Sequence, residues 1–287
     1  MQIIHPLADM TRWSEDVLFR GETIALVPTM GYFHEGHLSL MRLAGRLADH
    51  VVVSLFVNSI QFAPGEDLNQ YPRDLENDTR LAANEKVDVL FVPSDSEMYE
   101  NGGTTRVRVE GITAVLCGRQ RPSHFEGVTT VVAKLFNITK PHFAVFGEKD
   151  FQQLAVIRRM TRDLNWNIDI VGHPIVRESD GLAMSSRNAY LSGEERQSAC
   201  CLYRAIEQAR ASFAAGVRDA ARLQAEVRDT LLANPDVSID YIALVDQHSL
   251  AEREEADAGT VLALAVRVGT TRLIDNGFLA DDTEKSN

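Results

Sequence analysis

Short apolar runs alternate with stretches in which apolar residues recur every three or four positions. Thr23–Val27 is a brief apolar run closed by Pro28, and Gly36–Asp49 then carries Leu40, Leu43, Ala44 and Leu47 at helical spacing. Val51–Val57 is continuous and β-branched, the pattern of a parallel strand buried on both faces. Pro72–Asn84 reads as a polar helix and Val87–Val92 as another buried strand. Gly127–Thr139 has the cleanest helical period in the chain, with Val128, Val131, Val132, Leu135 and Phe136 on one side. Its branched residues are weak helix formers, so burial must supply its stability. His142–Phe146, Phe151–Leu164 and Ile168–Val171 then read as strand, helix and strand. Repeated strand–helix–strand units predict an α/β fold, a doubly wound parallel sheet with right-handed crossovers.

The rhythm changes after Val176. Ser192 and Glu195 fit a capping box that opens a long helix over Gly193–Ala215, and a second helix spans Asp219–Ala233. Strands follow at Ser238–Val245, Val261–Val268 and Thr271–Ile274. This predicts a larger domain over residues 1–176 and a smaller α+β C-terminal domain over residues 177–287. The polar tail from Ala280 to Asn287 is expected to fray.

Composition narrows the classes. With 29 Lys and Arg against 41 Asp and Glu in 287 residues, the formal charge is −12, which argues against a surface built to grip nucleic acid or an anionic membrane. A local basic pocket for a small anion remains compatible with it. The three cysteines, Cys117, Cys200 and Cys201, form neither a disulfide framework nor zinc spacing and read as idle thiols of a reducing compartment. The N-terminal residues lack a basic n-region and an apolar h-region, and no apolar run is long enough to span a bilayer. A cytoplasmic protein is expected.

Three segments carry candidate chemistry. Pro28–His37 (PTMGYFHEGH) lies where the first of these strands hands over to the first long helix. Ligands of open α/β sheets bind at the carboxyl ends of strands, and a helix N-terminus suits phosphate. Gly31 and Gly36 allow close backbone approach, and His34 and His37 share one helical face, from which two imidazoles can donate to a polyphosphate. The competing reading is a pair of surface histidines beside a tight turn; HEGH does not match the HExxH spacing of zinc proteases. Gly147–Asp150 (GEKD) sits at a second strand–helix junction, where Lys149 can neutralise phosphate. Asp150 with Gln153 equally fits a helix-capping pair. Met184–Asn188 (MSSRN) offers two hydroxyls and a guanidinium in a loop before the second domain. Neither the P-loop pattern nor a dinucleotide-binding glycine fingerprint follows the strand at Thr23–Val27.

The order HxGH (His34–His37) then MSSRN (Met184–Asn188) resembles the HIGH and KMSKS signatures of class I aminoacyl-tRNA synthetases and nucleotidyltransferases. More specifically, VPTMGYFHEGHLSLMR, VVVSLFVNSIQF, YPRD, LCGRQRPSHFEGVTTVVAKLFNI, FGEKDFQQL and IVRESDGLAMSSRNAYLS resemble the pantoate–β-alanine ligase family from about Ile24 to Ser192. The resemblance implies a Rossmann-like sheet and an amide-forming, AMP-producing ligase with ATP and Mg²⁺. Its small-molecule partners would be pantoate and β-alanine, with no nucleic acid or membrane partner, and it would be a homodimer. The C-terminal domain would act as a lid.

The same resemblance implies site residues. Met30, Gly31, His34, Gly36, His37, Gly147, Glu148, Lys149, Asp150, Val176, Met184, Ser185, Ser186 and Arg187 would hold ATP. His37, His34, Lys149, Ser185, Ser186 and Arg187 would carry the chemistry. Gln61 and Gln153, with Met30 and Asn58, would hold pantoate and border β-alanine. Arg119, Arg121 and His124 would help shape an anion pocket. Asp78 is read first as solvated helix surface and second as a Mg²⁺ contact, through water. Where the family has N-P-M-Q-F, this chain has Asn58-Ser-Ile-Gln-Phe62, and Phe33 replaces the usual Leu; Ser59 should loosen the backbone before Gln61. The alternatives are another nucleotidyltransferase with a phosphate acceptor, which would call for more Arg and Lys than the two glutamines, and a non-enzymatic nucleotide-binding module.

Overall fold

The apolar runs assemble as parallel strands because nothing in them is suited to face water. The computed structural model describes residues 1–100 and 103–280. Contacts divide them into two units. The first comprises Met1–Ala114, Gly118–Glu148 and Val156–Pro174; the second comprises Val115–Cys117, Lys149–Ala155 and the chain from Ile175. The tail expected to fray lies, beyond Ala280, outside the described residues.

In chain order the first unit contains β1 (Gln2–Ile4), α1 (Leu7–Phe19), β2 (Ile24–Thr29), α2 (Glu35–Leu47), β3 (His50–Leu55), α3 (Leu75–Asn84), β4 (Val89–Phe91) and α4 (Asp95–Met98). It continues with α5 (Cys117–Gln120), α6 (His124–Thr139), β5 (Phe143–Gly147), α7 (Phe151–Asp163) and β6 (Asp169–His173). The first residue of α5 and the first five of α7 group with the second unit. The sheet runs β1-β4-β3-β2-β5-β6, and every pairing is parallel. Strand β2 pairs with β3 in register from Ile24 opposite His50 to Thr29 opposite Leu55. Side chains alternate along each strand. Ala25 and Val27 therefore join Leu40, Met41 and Ala44 of α2 in one apolar cluster, while Ile24 and Leu26 are buried on the opposite side, where α6 packs on β2 and α1 on α6.

This is the expected doubly wound arrangement. Strand β1, helix α1 and the short α4 and α5 are additions. Strand β1 is only three residues long and owes its place to pairing with β4, which a local pattern cannot register. Helix α6 confirms the dependence of a branched helix on burial: twelve of its sixteen residues are buried, and Thr129 and Thr139 return their hydroxyls to the carbonyls of Phe125 and Leu135.

The second unit holds α8 (Gly193–Ala199), α9 (Cys201–Ala214), α10 (Ala220–Leu232) and an antiparallel sheet of β7 (Val237–Asp246), β8 (Thr260–Val268) and β9 (Thr271–Phe278). The predicted capping box is present, with Ser192 and Glu195 capping each other's backbone. The single helix expected over Gly193–Ala215 is broken. At Cys200 ψ opens to −10°, ending α8 and starting α9. The two pieces have different anchors. Arg196 of α8 binds Glu178 and Asp180, whereas α9 buries Cys201, Leu202, Ala205, Ile206, Ala209 and Phe213. Local sequence favours helix on both sides, so the break is a tertiary decision.

The three cysteines are free and buried, as idle thiols should be. Burial pushes the Cys201 thiol up to about 11 and raises Cys200 as well. At about pH 8.5 a two-unit rise cuts the thiolate fraction of Cys201 roughly 100-fold against an unfolded chain. Cys200 and Cys201 should resist iodoacetamide in the native protein and react in denaturant. Mass spectrometry showing native labelling at Cys201 would contradict the burial.

Candidate active site

Strand β2 lies between β3 on one side and β5 on the other, so the chain's progress across the sheet reverses between β2 and β5. That is where an open α/β sheet leaves a crevice at its carboxyl ends. The segments leaving those strands are Met30–His34 and Gly147–Glu148.

Strand β2 ends in a tight corner. Gly31 and Tyr32 are both left-handed, at φ 87° and 55°. Thr29 Oγ1 donates to the Ser54 carbonyl at 2.7 Å and accepts weakly from the Gly31 N–H. His34 then caps α2. Its Nδ1 accepts from the Gly36 N–H at 3.2 Å, and the His37 Nδ1 accepts from the His34 N–H at 3.3 Å. The two rings lie 4.1 Å apart between centroids. This is a capping box built from imidazoles, with His34 as cap and His37 as third helical residue. A backbone N–H can only donate, so both Nδ1 atoms are acceptors. In the neutral rings the proton therefore resides on Nε2.

Asp78 departs from the first expectation. It is 1% exposed, not solvated surface. Its carboxylate oxygens accept from the N–H groups of Tyr32 and Phe33, each at 2.7 Å. Burial raises its pKa, while those two N–H groups oppose the rise. Among the described residues no group of three or more His, Cys, Asp or Glu side chains is placed to hold a metal ion. A cavity of about 280 Å³ opens at the carboxyl ends of β2, β3 and β4, with Met30, Gly31, Phe56, Arg73 and Asp78 among its walls.

Gln61 sits in a short 3-10 turn, Ser59–Gln61. Its Nε2 lies 3.1 Å from Met30 Sδ, and its Oε1 accepts from Asn58 Nδ2 at 3.0 Å. Asn58 is 1% exposed and fully engaged, because Nδ2 also reaches the Gly127 carbonyl and Oδ1 accepts from the Tyr99 hydroxyl. Burial first, then the Asp95 charge, holds the Tyr99 phenol well above its usual range, so it stays a donor. The Gln61 carbonyl accepts from His124 Nδ1 at 3.0 Å. Arg121 forms a bidentate pair with Glu66; burial opposes ionisation of Glu66, but the guanidinium wins and holds its carboxyl below the usual range. The structure thus assigns Asn58, Arg121 and His124 contacts that support Gln61 and its loop. Ser59 is not loose either, since its hydroxyl binds Asp95 at 2.5 Å.

The remaining candidates fall in the second unit. Arg177 grips Asp275 of β9 through two bonds, 2.7 and 2.9 Å, and donates to the Gly181 carbonyl. This fixes a hairpin in which the Met184 N–H donates to the Val176 carbonyl. Ser185 caps the turn Ser186–Tyr190 by accepting from the Arg187 N–H at 3.2 Å, which leaves its own O–H to donate. Ser186 is buried, and Asn188 binds Glu178 and the Ala183 carbonyl. The Lys149 carbonyl accepts from Asn276, Asp150 is exposed, and α7 begins directly after it at Phe151. Of the adjacent glutamines, Gln152 is buried and clamps the Cys117 N–H and Val115 carbonyl; Gln153 is half-buried.

Sequence reasoning passed over Gly127, Tyr99, Glu66 and the Arg177–Asp275 pair. Only Gly127 carried a local signal, a glycine at the start of a strong helical run that the structure places inside α6. A β-carbon there would lie 2.6 Å from Gln61 Cα and 2.7 Å from its nitrogen.

A family model described as pantoate-beta-alanine ligase matches residues 2–278. A pantothenate synthetase of Heliobacterium modesticaldum is 55% identical over 96% of this chain and 98% of its own length. One of Geobacter sulfurreducens is 55% identical over 98% of this chain and its full length. The crystal structure of pantothenate synthetase from Thermus thermophilus superposes with a TM-score of 0.93 at 45% identity, covering 98% of this chain and all of that one. A Francisella tularensis pantoate-beta-alanine ligase, complexed with beta-gamma ATP and beta-alanine, gives 0.81 at 33% identity over 97% and 98% of the two chains.

Gly127→Ala should force α6 and the Ser59–Gln61 turn apart, at a cost of roughly 1–3 kcal/mol for overpacking backbone against backbone. Thermal unfolding would report the loss, and a crystal structure would show Gln61 displaced. An unchanged melting temperature would mean that the turn is not pressed on the helix.

Proposed function

The chain belongs to the pantoate–β-alanine ligase family, and from that premise we propose that it condenses (R)-pantoate with β-alanine, giving pantothenate, AMP and pyrophosphate through a pantoyl adenylate. The observation that carries the reading is the reciprocal imidazole cap at the β2–β5 switch point, which places two imidazoles at a helix N-terminus.

In the first step a pantoate carboxylate oxygen attacks the α-phosphorus. An acyl O–P bond forms, and the bond from the α-phosphorus to the α,β-bridging oxygen breaks, releasing pyrophosphate. In the second step the β-alanine amine attacks the acyl carbon, AMP leaves with the carboxylate oxygen, and the nitrogen loses its proton. Neither step requires a nucleophile from the protein. The protein must hold two anions together and spread the charge that builds on the phosphates. In this reading His34 and His37 donate from Nε2, while Lys149 and Arg187 supply positive charge. Ser185 and Ser186 are the hydroxyl donors. Gly36, Gly147, Glu148, Asp150, Val176 and Met184 complete the nucleotide contacts. Gln61 and Gln153 take pantoate, since an amide both donates to a carboxylate and accepts from a hydroxyl. Mg²⁺ enters on the phosphates of ATP as part of the substrate. Family resemblance supports two further parts of the reading, a homodimer and a cytoplasmic location. Among the described residues no helix is long and apolar enough to cross a membrane.

Pyrophosphate release from MgATP should require pantoate, with sustained turnover only when β-alanine is also present. Release that ignores pantoate would remove this acid as the substrate. His37→Ala and Lys149→Ala should each slow adenylate formation about 10²–10³-fold, the scale of one positioned donor. Wild-type pyrophosphate release in either variant would remove that residue's role. Gln153→Ala should weaken pantoate and spare ATP, as read by titration calorimetry with each ligand; the reverse pattern would assign it to helix capping.

A further inference from the structure

The buried carboxylate of Asp78 has no role in the chemistry above, yet it is bound to the loop that carries it. The loop needs an anchor. Two consecutive left-handed residues, one of them the non-glycine Tyr32, form a corner that L-residues avoid unless surrounding contacts impose it. Tyr32 does not supply that contact through its side chain, which is 37% exposed. The corner instead turns the N–H groups of Tyr32 and Phe33 to the same side, and one oxygen of Asp78 accepts each. Successive backbone N–H groups in such a turn form an anion-binding nest, and here the anion comes from the chain itself.

The carboxylate is fixed from its own side too. Asp78 lies in the first turn of α3, where its N–H donates to the Asp74 carbonyl at 2.9 Å and the Asp74 side chain caps the helix. A β-carbon on Gly31 would come within 3.0 Å of Asp78 Oδ2 and 3.2 Å of Leu55, so the corner is pressed directly onto the carboxylate. Phe33 is buried in the α2 cluster, and its ring lies 5.6 Å from that of His37. The gripped Phe33 N–H belongs to the residue directly before His34, the cap of α2.

We propose that Asp78 is a positioning residue: by holding the Tyr32 and Phe33 N–H groups it sets the corner that aligns the His34–His37 cap, and so the direction of the two Nε2–H donors. This rests on the reading of those imidazoles as phosphate donors. Asp78 then acts through the loop without touching the nucleotide.

The test is Asp78→Asn in the full chain. An amide keeps the size but offers one acceptor, and turns its NH2 against the second N–H. The turnover number for pantoate-dependent pyrophosphate release should fall about 10²-fold, the scale of a misplaced donor, while KM for pantoate stays within about twofold. Nitrogen-15 spectra should show the fixed Nε2–H tautomer of His34 and His37 in the wild type and its loss in the variant. Asp219→Ala, which removes the side-chain cap of α10 at a similar cost to folding, should change neither turnover nor tautomer. Wild-type turnover in Asp78→Asn would overturn the proposal, as would a fall in turnover with the tautomers unmoved. If Asp78→Asn does not fold, a backbone ester in place of the Phe33 amide removes one grip and leaves Asp78 intact, and the same signature is expected. Lack of pyrophosphate release by the wild type would refute the ligase reading, while the tautomer comparison would still decide the tether.

Discussion

A parallel sheet must be covered on both faces, and this constraint organises the first unit. All six strands run in one direction, so their carboxyl ends lie along one edge. The strand interiors are almost wholly apolar, and two buried, hydrogen-bonded polar side chains stand where strands end: Thr29 closing β2 and Asn58 just beyond β3. A polar group in such a place costs free energy unless it is hydrogen-bonded, so the loops beyond the strands are held by the bonds those groups demand. The edge that can bind a ligand is also the edge where the backbone is fastened by side chains.

Support and presentation are divided between neighbouring residues. Asn58 spends both ends of its amide on Gln61, Gly127 and Tyr99, and Gln61 lies against Met30. Gln152 is buried as a clamp, while Gln153 is half-buried. Asp78 occupies the N–H groups of the glycine corner, so the anion that this corner holds is one of the chain's own side chains. Each bond to a charged group of this kind contributes on the order of 1.5–3 kcal/mol and, more to the point, selects one loop conformation.

The places where the chain departs from its family's pattern fall on the supporting side. Ser59 replaces the rigidity of proline with a hydroxyl bonded to Asp95. Phe33 is buried in the α2 cluster beside His37, so its extra volume goes into the core that backs the cap. Tyr32 points toward solvent from a left-handed backbone. The polar groups of Gln61, His34 and His37 are unaltered by any of these changes.

The sequence by itself determined most of the elements and the family. Periodicity located β2 through β6 and helices α2, α3, α6 and α7, and the Ser192 capping box located the start of α8, because these depend on residues within one or two turns of each other. The HxGH and MSSRN segments, read with their neighbours, pointed to the family for the same reason. Tertiary structure decided what long-range partners alone can decide. It placed β1 beside β4, 87 residues further along the chain, and it broke the helix at Cys200 where its two halves answer to different anchors. It also turned Asp78, outwardly one acid in a polar helix, into a buried clamp on a corner 45 residues earlier. Hydrogen bonds of that reach leave no periodic trace in a sequence, since what they require is a position in space and not a spacing along the chain.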